Sequence, residues 1–383
     1  MLKNKIYNYF VTETLKTFLT ILFAFTAIAW TVRAVNFLDL VVDNGHSIKT
    51  YLLFSFFNVT NIITKFIPLS FLLALSLSIQ KFERQSELVI LWTSGLNKIK
   101  IVNLFFVFSL LILIIQLCFA TFITPNSLNK SRSLIKMSNF SSIGSIMKIN
   151  AFSDSFDDIT FYIEKLSGKN IMKNIFIRDE SNTFNNLTNS TSSSVNTTIT
   201  AENGFIQDGK LMLFEGQIQT QDKNDNLKNI FFEKTELLIN PLTPRTITKP
   251  KLQETFTSSL LICAMENQID AKKKELLNCP KNNLKKDIIE TLSRRIGMPL
   301  YIPLVSLICC FLLISTKENK YKKFKKYAYF TLGFLILILA EILVRYSGFS
   351  KLNTIIYFFI PIILIPFTYL ILIKKFAYEK INQ

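Results

Sequence analysis

The sequence predicts an α-helical membrane protein with six transmembrane helices, set three and three around an inserted all-β, jelly-roll-like domain. Three observations predict it. Hydrophobic residues make up 49% of the 383 positions, with 36 Phe among them, and they collect in blocks near the two ends. Each block reaches about 20 residues, enough to cross a hydrocarbon core of about 30 Å. Between about 144 and 240 the pattern changes to the period-two alternation of strands. A soluble globular chain is thereby excluded. The net charge of +17 would suit a nucleic acid if it lay on one soluble face, but the polar middle is close to neutral, so no nucleic-acid partner is expected.

The predicted spans cover residues 15 to 35, 51 to 79 and 101 to 123, then 296 to 315, 328 to 346 and 354 to 373. Ala27-Ile28-Ala29 imitates a signal-peptide cleavage site. The segment before the apolar run is long, however, and the run continues to Val35, which favours an uncleaved first span. Orientation follows from Lys and Arg, which concentrate in cytoplasmic loops. The two tails with the loops at 81–100 and 317–326 hold sixteen, against four on the other side (Arg33, Lys49, Arg345 and Lys351). Both termini are therefore expected in the cytoplasm, with the large middle domain across the membrane.

Within the middle domain, Ile159-Thr160-Phe161-Tyr162-Ile163 places Ile, Phe and Ile on one face, and Ile175 to Ile177, Leu211 to Phe214 and Ile230 to Phe232 read as further strands. Gly168, Gly204, Asp208-Gly209 and Gly216 read as turns between them. A sandwich or open jelly roll follows. Residues 181 to 198 contain fifteen Ser, Thr or Asn in eighteen positions, a composition too polar to build a core, and read as a loop. The N-x-Ser/Thr triplets at Asn139, Asn186, Asn189 and Asn196 are what an Asn- and Ser-rich tract generates by chance. From Phe256 to Leu277 and again from Leu284 the pattern is helical, and Asp287 to Arg295 runs directly into the fourth span.

No catalytic motif is present in the sequence. Neither Gly168-Lys169 nor Gly209-Lys210 continues into a phosphate-binding loop, no nucleophile elbow or zinc-protease pair occurs, and His46 is the single histidine. No cofactor or metal is expected. Cys118, Cys309 and Cys310 fall inside spans as packing residues, while Cys263 and Cys279 sit where an oxidising compartment would permit pairing or leave two thiols. Energy for any active process must come from another protein.

Two groups of residues stand out. Arg33, Lys65, Arg294, Arg295 and Arg345 place five cations from four spans at similar outer depth, where an ionisable group is costly. They read either as snorkelling side chains or as a basic ring for an anionic headgroup, whose phosphate oxygens suit guanidinium forks. Glu341 precedes Arg345 by four residues and Glu290 precedes Arg294 by four, a favourable order for ion pairs. The second group is the loop from Lys81 to Gly95. Ser86 precedes a short amphipathic run in which Leu88, Leu91 and Trp92 share a face, and Gly95 can end it. That apolar face reads either as lying on lipid or as seated in a groove of a cytoplasmic partner.

The order of these pieces resembles the lipopolysaccharide-export permeases LptF/LptG, also called YjgP/YjgQ. The resemblance rests on Arg84-x-Ser86-Glu87-Leu88-x-x-Leu91-x-x-x-Gly95, on Ile67-Pro68-Leu69, on Phe161-Tyr162-Ile163 through Arg178-Asp179, and on Arg294-Arg295-x-x-x-Pro299-Leu300. It covers nearly the whole chain, and the stretch from Arg33 to Gly45 leans toward LptF. The resemblance implies a transport subunit, not an enzyme, in the bacterial inner membrane. It implies a heterodimer with a sibling permease, two copies of a cytoplasmic ATPase, and a periplasmic bridge that receives the lipid. Residues 84 to 95, with Glu87, Leu88, Leu91, Trp92 and Gly95, would be the coupling helix. First and fifth spans would form the gates, which carry Arg33, Glu341 and Arg345. The implied domains are 1–123, a periplasmic 124–293, and 294–383. Two features depart from the family: the long Ser/Thr/Asn tract, and Phe358-Phe359-Ile360-Pro361 where a Trp-Pro-Asn type of sequence is expected. Two rivals are a membrane-anchored receptor or scaffold with a periplasmic β-domain and, less favoured, an ion-coupled transporter, for which only Glu341 comes near mid-span.

Overall fold

A computed structural model describes residues 2–38, 47–139, 150–156, 159–167, 171–180, 196–207, 210–221, 227–238, 251–265, 285–314 and 322–381. His46, Cys279, the tract 181–195, Gly168 and Asp208-Gly209 lie outside them. The helices are α1 (Leu2–Asn36), α2 (Ile48–Arg84), α3 (Glu87–Thr93), α4 (Lys98–Cys118), α5 (Thr124–Asn139), α6 (Thr257–Met265), α7 (Lys285–Gly297), α8 (Tyr301–Cys310), α9 (Lys322–Ser347) and α10 (Lys351–Ile381). Six stretches among the described residues are long and apolar enough to cross a membrane, in the predicted order. They start or end farther out than the apolar blocks, because Lys and Glu in the flanks are good helix formers and continue the backbone bonding. α7 passes into α8 through one 3-10 turn, Met298–Leu300, where Pro299 tightens the helix without ending it.

The chain divides into two compact units, one of residues 1–33, 57–129 and 251–383, the other of 34–56 and 130–250. In the first unit α8 is the centre: all ten of its residues are buried, as expected of a helix apolar on every side. Ser306 donates to the carbonyl of Phe105 at 3.2 Å, and Ser76 meets the Cys309 sulfur at 3.3 Å. Small side chains let α4 approach α8 closely.

At three places in this unit a proline, lacking an N–H, frees a carbonyl four residues back that a side chain of another helix meets. Pro68 in α2 frees Thr64, whose oxygen faces the Gln116 amide at 3.5 Å. Pro125 frees Thr121 inside the π turn Phe119–Ile123, and Thr257 donates to it at 2.8 Å. Pro361 in α10 frees Tyr357, and Tyr301 donates to it at 2.8 Å. In hydrocarbon an unmet carbonyl costs several kcal/mol, so each of these three prolines commits a partner on another helix. The departure at Phe358 to Pro361 thus has a structural role of its own.

The second unit contains a six-stranded antiparallel sheet in simple meander order: β1 (Ser153–Phe156), β2 (Ile159–Ser167), β3 (Ile171–Asp179), β4 (Asn196–Gln207), β5 (Lys210–Gln221) and β6 (Leu227–Leu238). Ile159, Phe161, Ile163, Ile175 and Ile177 share its buried face as the alternation predicts. The described strands make one sheet, and a second layer is not among the described residues.

Two expectations are corrected here. Residues 196–198 begin β4 and do not belong to the loop, and Gly204 and Gly216 lie inside strands where turns were expected. A Cβ at Gly216 would meet the Thr200 carbonyl at 2.2 Å, and one at Gly204 the Ile175 side chain at 2.6 Å, so these glycines serve close approach between strands. The sheet is also creased. Asn174 and Glu215 both take a left-handed φ of 52°, and the pairing registers of all four adjacent strand pairs from β2 to β6 skip the row that these two residues occupy. Lys173 and Asn174 therefore both face outward between buried Met172 and Ile175, which breaks the period of two within β3.

Candidate functional site

Adjacent arginines at the end of α7 point to different surroundings. Arg295 is 7% exposed, and its guanidinium donates to the carbonyls of Leu252, Gln253 and Thr255 and to the Thr257 hydroxyl at 2.8–3.1 Å. Every one of those acceptors precedes or opens α6, so Arg295 fastens that segment to α7. It does not join the other cations. Thr257 links it onward to the carbonyl that Pro125 frees.

Arg294, one residue earlier, turns the other way. It pairs with Glu341 of α9 and with Glu290 one helical turn before it, the latter at 3.2 Å. Glu341 also faces the Arg345 guanidinium, at a looser 4.0 Å. Lys65 is exposed on α2 and interacts with the charges of Arg33 on α1, Arg294 and Glu341. The structure thus brings Arg33, Lys65, Arg294, Glu341 and Arg345 together from α1, α2, α7 and α9, and keeps Arg295 apart. Four cations here face two carboxylates, which leaves a net positive charge among otherwise apolar spans.

The principal partner of Glu341 is Arg294, on another helix. Sequence spacing shows only pairs within one helix, so it pointed to Arg345. Tyr357 was missed altogether. Its ring is fully buried, its hydroxyl has no hydrogen-bond partner, and it interacts with the charges of Arg294 and Glu341. Gly297 makes room for it, since a Cβ there would lie 2.2 Å from the ring. In the sequence Tyr357 is one aromatic residue within an apolar run, and the one local signal is Gly297 three residues after Arg294.

The loop between the second and third spans contains the expected short helix. Ser86 enters it in a left-handed conformation, φ 58°, and its side chain caps nothing, contrary to the usual role of serine at such a position. At the other end the N–H groups of Gly95 and Leu96 bond back to Trp92 and Leu91, and Gly95 supplies the φ of +79° that this closure requires. The apolar face requires a correction. Leu88 and Leu91 are buried in the chain's own core together with Phe10 and Phe82, so they lie neither on lipid nor in a partner's groove. Trp92 packs against the same cluster, with the Lys98 ammonium 5.5 Å from its ring centre. The face left outward carries Arg84, Gln85, Val89, Ile90 and Thr93. Glu87 is half-buried and accepts a hydrogen bond from the Tyr9 hydroxyl at 3.0 Å.

Of the two cysteines left open between pairing and free thiols, Cys263 is buried and disulfide-bonded, while Cys279 lies outside the described residues. Cys118, Cys309 and Cys310 are free thiols. Among the described residues no group of His, Cys, Asp and Glu is arranged to hold a metal.

A family model described as "Lipopolysaccharide export system permease LptF/LptG" matches residues 8–375. No curated protein matches the chain.

Proposed function

Because the chain belongs to the LptF/LptG family, the permease component of the lipopolysaccharide export system, we propose that it takes lipopolysaccharide from the outer leaflet of the inner membrane and passes it to a periplasmic bridge. The observation that carries this reading is the cluster of Lys65, Arg33, Arg294 and Arg345, held from four helices among apolar spans and only half balanced by Glu290 and Glu341. A cluster of this kind matches a phosphorylated lipid headgroup, which offers doubly accepting oxygens to guanidinium forks. Phosphate competes with Glu341 for Arg294, so the pair acts as a latch that opens on loading.

The excess of Lys and Arg in one set of loops supports cytoplasmic termini and a periplasmic sheet. On this reading α3 faces the cytoplasm, and Val89 and Ile90, both more than half exposed, dock into a partner ATPase that supplies the energy. The second permease of the pair would face the thinly covered helices α1, α9 and α10, the three least buried spans. The exposed edge of β6, which carries Leu227 and Phe231, suits strand addition by a bridge protein.

The test is photocrosslinking of lipopolysaccharide to the cluster in the assembled complex. Lys65→Glu is expected to lower crosslinking at least five-fold while the chain still inserts. Crosslinking equal to the unmodified chain would reduce the cluster to snorkelling side chains.

A further inference from the structure

The helix that leads to Arg33 is tied to α3 at its opposite end. Tyr9 donates to Glu87 Oε1 at 3.0 Å, Phe10 packs edge-on against Phe82 with ring centres 4.3 Å apart, and Glu13 pairs with Lys81. The three contacts fall within about one turn of α1. Glu87 is on α3, whereas Phe82 and Lys81 are on the last turn of α2. Tyr9 is therefore the direct polar link between α1 and the short helix. Glu87 Oε2 is buried with no hydrogen-bond partner, so Oε1 makes the contact that orients this carboxylate.

From Tyr9 to Arg33 the helix contains neither proline nor glycine, in contrast to α2 and α10. Sharp kinks arise at such residues, so α1 is a rod of about 36 Å between these two side chains. It is also the least buried of the six spans. Phe18 meets Phe71 and Phe25 meets Phe66 along α2, at 6.2 and 5.6 Å between ring centres. Directed bonds resist sliding and tilting more than ring contacts do, and those of α1 lie near its ends: Tyr9 to Glu87 and Glu13 to Lys81 at one, and the Tyr51 hydroxyl to the Ala34 carbonyl at 3.0 Å at the other, about which the rod can pivot.

We propose that Tyr9 is a positioning residue that couples α3 to α1, so that a displacement of α3 travels along the rod and moves Arg33 relative to Lys65. This rests on the reading of α3 as the ATPase-docking element, and it adds the route by which that element acts on the lipid site. A push on α3 moves Glu87, Glu87 carries Tyr9 with it, and the cation cluster opens or closes at the far end of the same helix.

The test uses the complete complex with the sibling permease and the ATPase, reconstituted in proteoliposomes containing lipopolysaccharide, and measures lipid exported per ATP hydrolysed. Tyr9→Phe keeps the ring and removes the donor. It is expected to lower that ratio at least five-fold, with ATPase co-purification and hydrolysis within two-fold of the unmodified complex. Tyr9→Lys removes the ring and keeps a donor of similar reach, and is expected to recover at least half of the ratio. An unchanged ratio in Tyr9→Phe overturns the coupling, as does a Tyr9→Lys complex no better than Tyr9→Phe. A purely structural role would lower hydrolysis and export together. If the unmodified chain neither retains the ATPase nor exports lipid, the transport reading fails; if it does both and Tyr9→Phe matches it, the Tyr9 route alone fails.

Discussion

Replacing Arg295 by Met separates the two adjacent arginines most sharply. The guanidinium meets three carbonyls and one hydroxyl within 3.1 Å, at a site with 7% exposure. Met fills much of the same volume and offers no donor. A hydrogen bond to a charged group contributes about 1.5–3 kcal/mol, and each buried acceptor left unmet costs about 1–3 kcal/mol. The bonds are not additive, and water recovers part of the loss at the acceptors that are only part-buried, so a net cost of about 3–5 kcal/mol is expected. At about 1.4 kcal/mol per factor of ten, that lowers the folded-to-unfolded ratio by roughly a hundred- to a few thousand-fold. Arg294→Met removes ion pairs whose side chains are about a third exposed, and should cost only about 1 kcal/mol. The assay is heating of the detergent-solubilised chain and measurement of the fraction that stays soluble, with lipopolysaccharide crosslinking on the same samples. Arg295→Met is expected to melt early and to crosslink normally while folded; Arg294→Met is expected to melt normally and crosslink poorly. The opposite assignment, with Arg294→Met the less stable, would refute the argument from hydrogen-bond geometry.

Glu341→Gln removes the counter-charge of Arg294 and is expected to raise lipopolysaccharide crosslinking several-fold while slowing release, measured as lipid delivered per minute; lowered crosslinking would contradict the latch. Ile90 is 64% exposed and Leu91 is 7% exposed, so Ile90→Asp should abolish ATPase co-purification with normal membrane levels of the chain, whereas Leu91→Asp should lower those levels. Tyr301→Phe removes the donor for the carbonyl that Pro361 frees, at a cost of about 1–3 kcal/mol. In a Pro361→Ala background, where residue 361 regains its N–H, a double-mutant cycle on thermal stability should show most of that cost gone. Gly216→Ala drives a Cβ to 2.2 Å from the Thr200 carbonyl, and is expected to make the sheet more sensitive to limited proteolysis than Thr200→Ala does.

Membership of the family and the plan of six spans with an inserted sheet were legible because both rest on local pattern. A run of about 20 apolar residues, or Ile-x-Phe-x-Ile, carries its meaning wherever it occurs. The cations at depth were legible one by one for a related reason, since a charge in an apolar span is conspicuous without its neighbours, although the ring of five expected from them included Arg295, which the structure keeps apart. What each of them does was not legible. Arg294 and Arg295 have the same charge and adjacent positions, yet successive residues of a helix point about 100° apart, and that angle decides which one meets Glu341 and which one is spent on the chain before α6.

The amphipathic face of α3 was misread for a similar reason. Leu88, Leu91 and Trp92 announce an apolar stripe, and a stripe is silent on whether its own chain or a partner covers it. The strand at 196–207 was hidden by polar residues on its open face and by Gly204, whose meaning depends on Ile175 across the ladder.

The amino-acid order alone therefore determined the membrane class, the number and sequence of spans, the strand region and the residues that carry charge at depth, since each follows from the free energy of moving a short segment between water and hydrocarbon. The tertiary structure decided the pairings: Arg294 with Glu341, Tyr9 with Glu87, and Arg295 with Leu252 to Thr257. Those depend on which helix faces meet across dozens of positions of chain, and hydrogen bonds discriminate at a few tenths of an ångström where hydrophobic burial does not.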